Sequence, residues 1–149
     1  MPAPYRAIDV AKYFLLKADP DDGDLISNLK LQKLLYYAQG FHLALNDAPL
    51  LREDVEAWMH GPVVRDVYHE FKGHGGDAIP RPEGFDPAKV FDDDATGLLD
   101  EVYSVYGQFS AWKLREMTHS EPPWVNTAAG EEITHDAMRA YFVTQLNDR

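Results

Sequence analysis

Apolar positions recur along this chain at three- and four-residue spacing in most of its length, which predicts helices rather than strands. From Ala7 to Ala18, the residues Ile8, Ala11, Phe14, Leu15 and Ala18 share one helical face. The stretch Asp19-Pro20-Asp21-Asp22-Gly23-Asp24 then breaks the pattern with Pro, Gly and turn-forming acids. Ser27 is a suitable N-cap for a long second helix in which Leu31, Leu34, Leu35, Ala38, Phe41 and Leu45 repeat. Its other side carries Lys30, Lys33, Tyr37 and Gly40. An interior Gly costs about 1 kcal/mol relative to Ala, so close approach of another segment is expected there. This helix is expected at the centre of the core.

The stretch Asp54 to Met59 fits a brief strand or a turn of helix equally well. After His60-Gly61, Pro62 suits a first helical position, and Val63, Val64, Val67, Tyr68 and Phe71 carry a third helix to about Lys72. Gly73 to Asp93 is rich in Gly and Pro and aperiodic, a loop that serves as a lid or a packed cover, with room for a short strand around Ile79. Asp92 to Asp94 cap a fourth helix bearing Leu98, Leu99, Val102, Tyr103 and Tyr106, ended by Gly107. Ser110 caps a fifth, with Ala111, Leu114 and Met117 inward, which stops before Pro122-Pro123. Thr134 begins a last helix carrying Ala137, Met138, Tyr141, Phe142 and Leu146. The expectation is a mainly α, single compact domain of about six helices spanning 1–149, leaving room for one short strand pair.

Composition changes this picture mainly by what it removes. The 149 residues contain no Cys, so disulfides, thiolate metal sites and a Cys nucleophile are out. No run of about eighteen apolar residues occurs, and the N-terminus lacks a charged-then-apolar leader, so a cytoplasmic protein without membrane partners is expected. With 14 Lys+Arg against 25 Asp+Glu, the net charge is −11, which disfavours direct DNA binding. The acidic clusters read first as solvated loops and helix N-termini that keep the chain soluble, and second as faces that steer a basic protein partner.

Candidate chemistry is sparse. The acidic loop fails the calcium register, because placing Gly23 sixth puts Leu29 where a bidentate Glu is needed. The Ser-x-x-Lys tetrads at Ser27 and Ser110 read as helix caps, without the companion motifs of a penicillin-recognising enzyme. The six histidines, His42, His60, His69, His74, His119 and His135, follow no compact ligand spacing, and no phosphate-binding Gly loop is present. A metal-dependent hydrolase built from scattered His and acids is therefore the weakest reading. No catalytic residue, metal ligand or cofactor is expected. Aromatic residues near turns, Trp58, Tyr36, Tyr37 and Trp124, suit either core packing or partner anchoring.

Four ordered motifs carry a resemblance. Leu29-Lys30-Leu31-Gln32-Lys33-Leu34-Leu35-Tyr36-Tyr37-Ala38-Gln39-Gly40, then Glu56-Ala57-Trp58, then Gly61-Pro62-Val63-Val64 with Val67-Tyr68, and finally Thr118-His119 with Pro122-Pro123-Trp124, resemble the Panacea domain of SocA-like antitoxins. The resemblance implies a binding module rather than an enzyme. Members are encoded beside unrelated toxins in bacteria, phages and prophages, and neutralise them by direct binding in type II-like toxin-antitoxin systems. The family's founding member also works as a proteolytic adaptor that presents its toxin to ClpXP. Some members carry an added DNA-binding segment, whereas here the domain is expected to fill the chain. The expected partner is thus a cognate protein toxin, with ClpXP as a second, and the expected contact residues are Trp58, His60, Tyr68 and Trp124 as anchors with Lys30 and Lys33 as charge partners. The tail Gln145-Leu146-Asn147-Asp148-Arg149 does not resemble a degradation tag.

Overall fold

The structure is a computed structural model that describes residues 3–19, 21 and 23–146. Pro20 and Asp22 of the acidic loop, Met1-Pro2 and Asn147-Asp148-Arg149 lie outside the described residues. The order of elements is α1 (Ala7–Lys17), α2 (Asn28–Asn46), β1 (Glu56–Trp58), β2 (Gly61–Val63), α3 (Arg65–Phe71), α4 (Asp93–Tyr106), α5 (Ala111–Thr118), α6 (Pro122–Val125) and α7 (His135–Leu146). The mainly α expectation therefore holds, with one antiparallel strand pair.

Helix starts follow the capping chemistry of the sequence. The side-chain oxygens of Ser27, Asp92 and Ser110 accept from the backbone N–H groups of Lys30, Ala95 and Lys113, each satisfying a donor that the helix leaves free. Thr134 does the same for Ala137 ahead of α7. At the far end of α2, Asp47 closes the helix in the left-handed region (φ 53°).

α2 is the axis of the fold. Of its 19 residues 14 are buried, so most of its length is enclosed instead of lying on the surface with one apolar stripe. Only its last turn opens to solvent, where Leu45, expected in the core, is 57% exposed. α1, α4, α5, α7 and the hairpin pack around it. α7 approaches closely at Gly40, where the Phe142 ring occupies the space a side chain would need: a Cβ there would lie 2.1 Å from a ring carbon. Phe142 also meets Tyr36, Tyr37 and Phe41 in edge-on or tilted ring contacts at 5.3, 5.9 and 4.8 Å.

Three sequence expectations shift. Pro62 does not open a helix: it lies in β2 opposite Ala57, and α3 begins at Arg65. Pro62 lacks an N–H, and the β-branched Val63 and Val64 beside it favour extended backbone. Pro122-Pro123 starts a further short helix, α6, because Pro is as well suited to opening a helix as to following one. Around Ile79 there is a single bridge, Ser27 to Ala78, with the Ile79 N–H donating to Ile26 O at 2.8 Å. Ile79 and Phe91 are buried, so the Gly/Pro-rich stretch is pinned to the body at both ends.

Candidate partner-binding site

The motif residues gather at one end of α2, in a buried polar layer and the hairpin above it. Gln32 on α2 accepts from the Val64 N–H at 2.9 Å and donates to Asn28 at 2.9 Å, and Asn28 donates to Tyr68 O at 3.0 Å. Two turns further on, Gln39 accepts from the N–H groups of Leu50 and Leu51. Gln32 and Gln39 thus satisfy backbone N–H groups outside the helices, and Asn28 reaches a carbonyl of α3.

The two candidate lysines belong to this inner layer. Lys33 is 0% exposed and donates to Pro62 O at 3.0 Å. Burial, with Arg115 nearby, pushes its ammonium down to about 7. Lys30 is buried too and donates to Gly107 O at 2.6 Å, and desolvation lowers its pKa against the opposing pull of Asp24. Below the hairpin, Glu121 accepts from the hydroxyls of Tyr36 and Tyr37 at 2.9 and 2.8 Å. Burial raises its carboxyl to about 7, and the hydrogen bonds from Tyr37, Tyr36 and Tyr141 work in the other direction. Sequence reading missed Glu121, Gln32 and Gln39; the motif Leu29 to Gly40 held two of them, but a buried Gln looks like a surface Gln until its distant backbone partner is known.

The hairpin rests on this layer through Gly61. Its φ is +111°, which side-chain-bearing residues rarely adopt, and a Cβ would lie 2.7 Å from Lys33 Cε and 2.8 Å from Thr118 Oγ1. The outer edge of β1 is also bonded: the Ala57 N–H donates to Glu131 O at 2.9 Å and Gly130 donates to Ala57 O at 2.7 Å. The strands on both sides of the turn Met59-His60 are therefore held, one from beneath and one along its outer edge.

Four predicted anchors surround the turn. Trp58 donates to Glu56 at 3.0 Å and meets Tyr68 edge-on at 4.9 Å. Trp124 donates through Nε1 to Trp58 O at 2.8 Å, and its ring stacks on His119 at 4.1 Å. Burial, then the charges of Arg115 and Lys33, lower the His119 pKa, and its buried Nε2 has no hydrogen-bond partner among the described residues. His60 is exposed and accepts at Nδ1 from Arg115 Nε at 3.0 Å. The Arg115 guanidinium lies over the Trp112 ring at 4.4 Å, a cation–π contact.

That chain of contacts assembles a surface patch. Met59, 76% exposed, and Trp112, 57% exposed, are joined through His60 and Arg115. Neither Met59, Trp112 nor Arg115 was predicted as a contact, although two large apolar side chains beside a cation are the composition favoured in binding surfaces. Trp58, Tyr68 and Trp124 are half-buried behind the patch and brace it. Among the described residues, no group of three His, Asp or Glu is placed to hold a metal ion. Nor is any described helix long and apolar enough to cross a membrane.

Comparison with known proteins agrees with the motif pattern. The family described as "Antitoxin SocA-like, Panacea domain" matches residues 31–125. Antitoxin SocA of Caulobacter vibrioides (strain NA1000 / CB15N) is 33% identical, with 70% of this chain and 61% of that relative covered. The match thus spans about three-fifths of the relative's length. No solved structure matches.

Proposed function

The chain belongs to the SocA-like Panacea antitoxin family, and from that premise we propose that it neutralises a protein toxin by binding it directly. The role is one of recognition and not of catalysis. The observation that supports this reading is the patch Met59, His60, Trp112 and Arg115, where two large apolar side chains stand in solvent. A rigid turn loses little conformational freedom on binding, so more of the contact energy is retained in the complex.

In this reading the predicted residues divide by task. His60 touches the toxin. Trp58, Tyr68 and Trp124 hold the turn and offer their exposed edges, while Lys30 and Lys33 act from inside by fixing Gly107 O and Pro62 O. The toxin is covered sterically, and its identity depends on the patch and its surroundings.

The test is co-expression with the product of the adjacent reading frame, with growth and co-purification measured. Rescue with a stable complex supports the proposal. The Met59→Ser/Trp112→Ala double variant is expected to weaken that complex at least about tenfold. A harmless neighbour that does not bind overturns it. Toxin half-life in cells with and without ClpXP separates steric cover from delivery to the protease: cover leaves the half-life unchanged.

A further inference from the structure

A second surface stands apart from the hairpin patch. A cleft of about 600 Å³ lies between the C-terminal half of α2 and one face of α4, closed at one side by Pro4 and Tyr5. Its floor is apolar, formed by Phe41, Leu98, Val102 and Tyr106, and Leu45 stands at its lip 57% exposed. The α4 wall has a regular pattern: Asp94, Leu98, Glu101 and Val105 follow at helical spacing, so acid and apolar side chains alternate along one face. Asp92 adds a further acid, and no Lys or Arg lines the cleft among the described residues. The imidazole of His42 is engaged with Ala48 O at 2.6 Å.

We propose that this cleft is a docking groove for a basic amphipathic helix of a protein partner. The argument is one of shape and charge together. The wall from Asp94 to Val105 is about 16 Å long at 1.5 Å per residue, the length of three turns of a partner helix. An apolar stripe on that helix would cover Leu45, Leu98 and Val105, and Lys or Arg flanking the stripe would meet Asp92, Asp94 and Glu101. The net charge of −11 attracts such a segment at long range and repels a second copy of this chain. The proposal stands on the cleft alone and is independent of which surface meets the toxin.

Two fluorescent peptides of about 14 residues test it, one an amphipathic Leu/Lys helix and the other its Leu/Glu counterpart, titrated with the full chain. The Leu/Lys peptide is expected to bind at least about tenfold more tightly, with the difference shrinking as salt is raised. Asp94→Lys/Glu101→Lys is expected to remove that preference, and Leu45→Ser to weaken binding several-fold. Asp77→Lys/Glu83→Lys makes the same change of net charge outside the cleft and is expected to leave binding within about twofold. Circular dichroism confirms that each variant folds. Equal binding of both peptides, equal losses from the two charge reversals, or concentration-dependent dimerisation through the cleft each overturns the proposal. The Met59→Ser/Trp112→Ala variant binds the peptide normally under this proposal, so failure here and failure of the toxin contact are separate results.

Discussion

The polar side chains under the hairpin and the side chains carried on top of it follow opposite rules. Beneath, Lys33, Gln32 and Glu121 are charged or polar yet enclosed, and each spends its hydrogen bonds on the chain itself. Above, Met59 and Trp112 are apolar yet exposed, and little within the chain covers them. Both regions lie within or beside the family motifs. The difference teaches that a motif residue can serve by fixing the backbone from inside, whereas Met59 and Trp112, the residues proposed to meet a partner, keep most of their apolar surface in solvent.

Substitutions at the junction of the two regions break this contrast most strongly. Gly61→Ala places a Cβ against Lys33 Cε and Thr118 Oγ1 and forces a side-chain-bearing residue to φ +111°. A loss of about 2–4 kcal/mol in stability is expected by denaturant unfolding, with toxin binding lost alongside it. A wild-type melting curve for this variant would mean that the hairpin is not seated on Lys33.

A smaller effect, readable as a pH dependence, comes from the enclosed charges. Glu121 has its pKa raised in the folded state, so the folded chain holds a proton that the unfolded chain releases between roughly pH 4.5 and 7. Its contribution is complete below pH 4.5 and lost as pH rises through 7, about 3 kcal/mol in all. Lys33 runs in the other direction: its folded pKa of about 7 lies below the unfolded 10.5, so stability returns as pH rises above 7. Together they predict a dip in stability near neutral pH. Glu121→Gln keeps the tyrosine contacts and is expected to flatten the acid side of the dip, measured by urea unfolding from pH 5 to 8.

The outer region gives the smallest change in stability. Met59→Ser and Trp112→Ala are each expected to shift unfolding by no more than about 0.5 kcal/mol, since these side chains are largely in solvent. A large loss for Met59→Ser would move that residue from the upper class to the lower.

Sequence carried the helices well because their determinants are local. Ser27, Asp92 and Ser110 act on N–H groups three residues on, and Leu31, Leu34, Leu35, Leu99 and Val102 became core. Leu45 at the end of α2 is instead exposed, because no described segment packs over it. Pro62 and Pro122 were ambiguous because a proline's fixed φ and missing N–H suit a strand edge, a helix start and a helix stop alike. The inner layer was illegible for a different reason. Lys30 finds its carbonyl at Gly107, and Glu121 its hydroxyls at Tyr36 and Tyr37, from opposite halves of the chain. A charge is assigned to the surface by default until such a partner is brought to it by tertiary packing.

The contact between Gly40 and Phe142 ties the first third of the chain to its last helix. At ~5–20 residues per second, a ribosome takes on the order of 5–20 s to travel from one to the other. During that interval the nascent chain presents the α7-facing wall of α2, with Tyr36, Tyr37 and Phe41, to any chaperone that binds aromatic surface. A product released short of Phe142 keeps that wall open, which makes an incomplete copy of this chain recognisable to quality control.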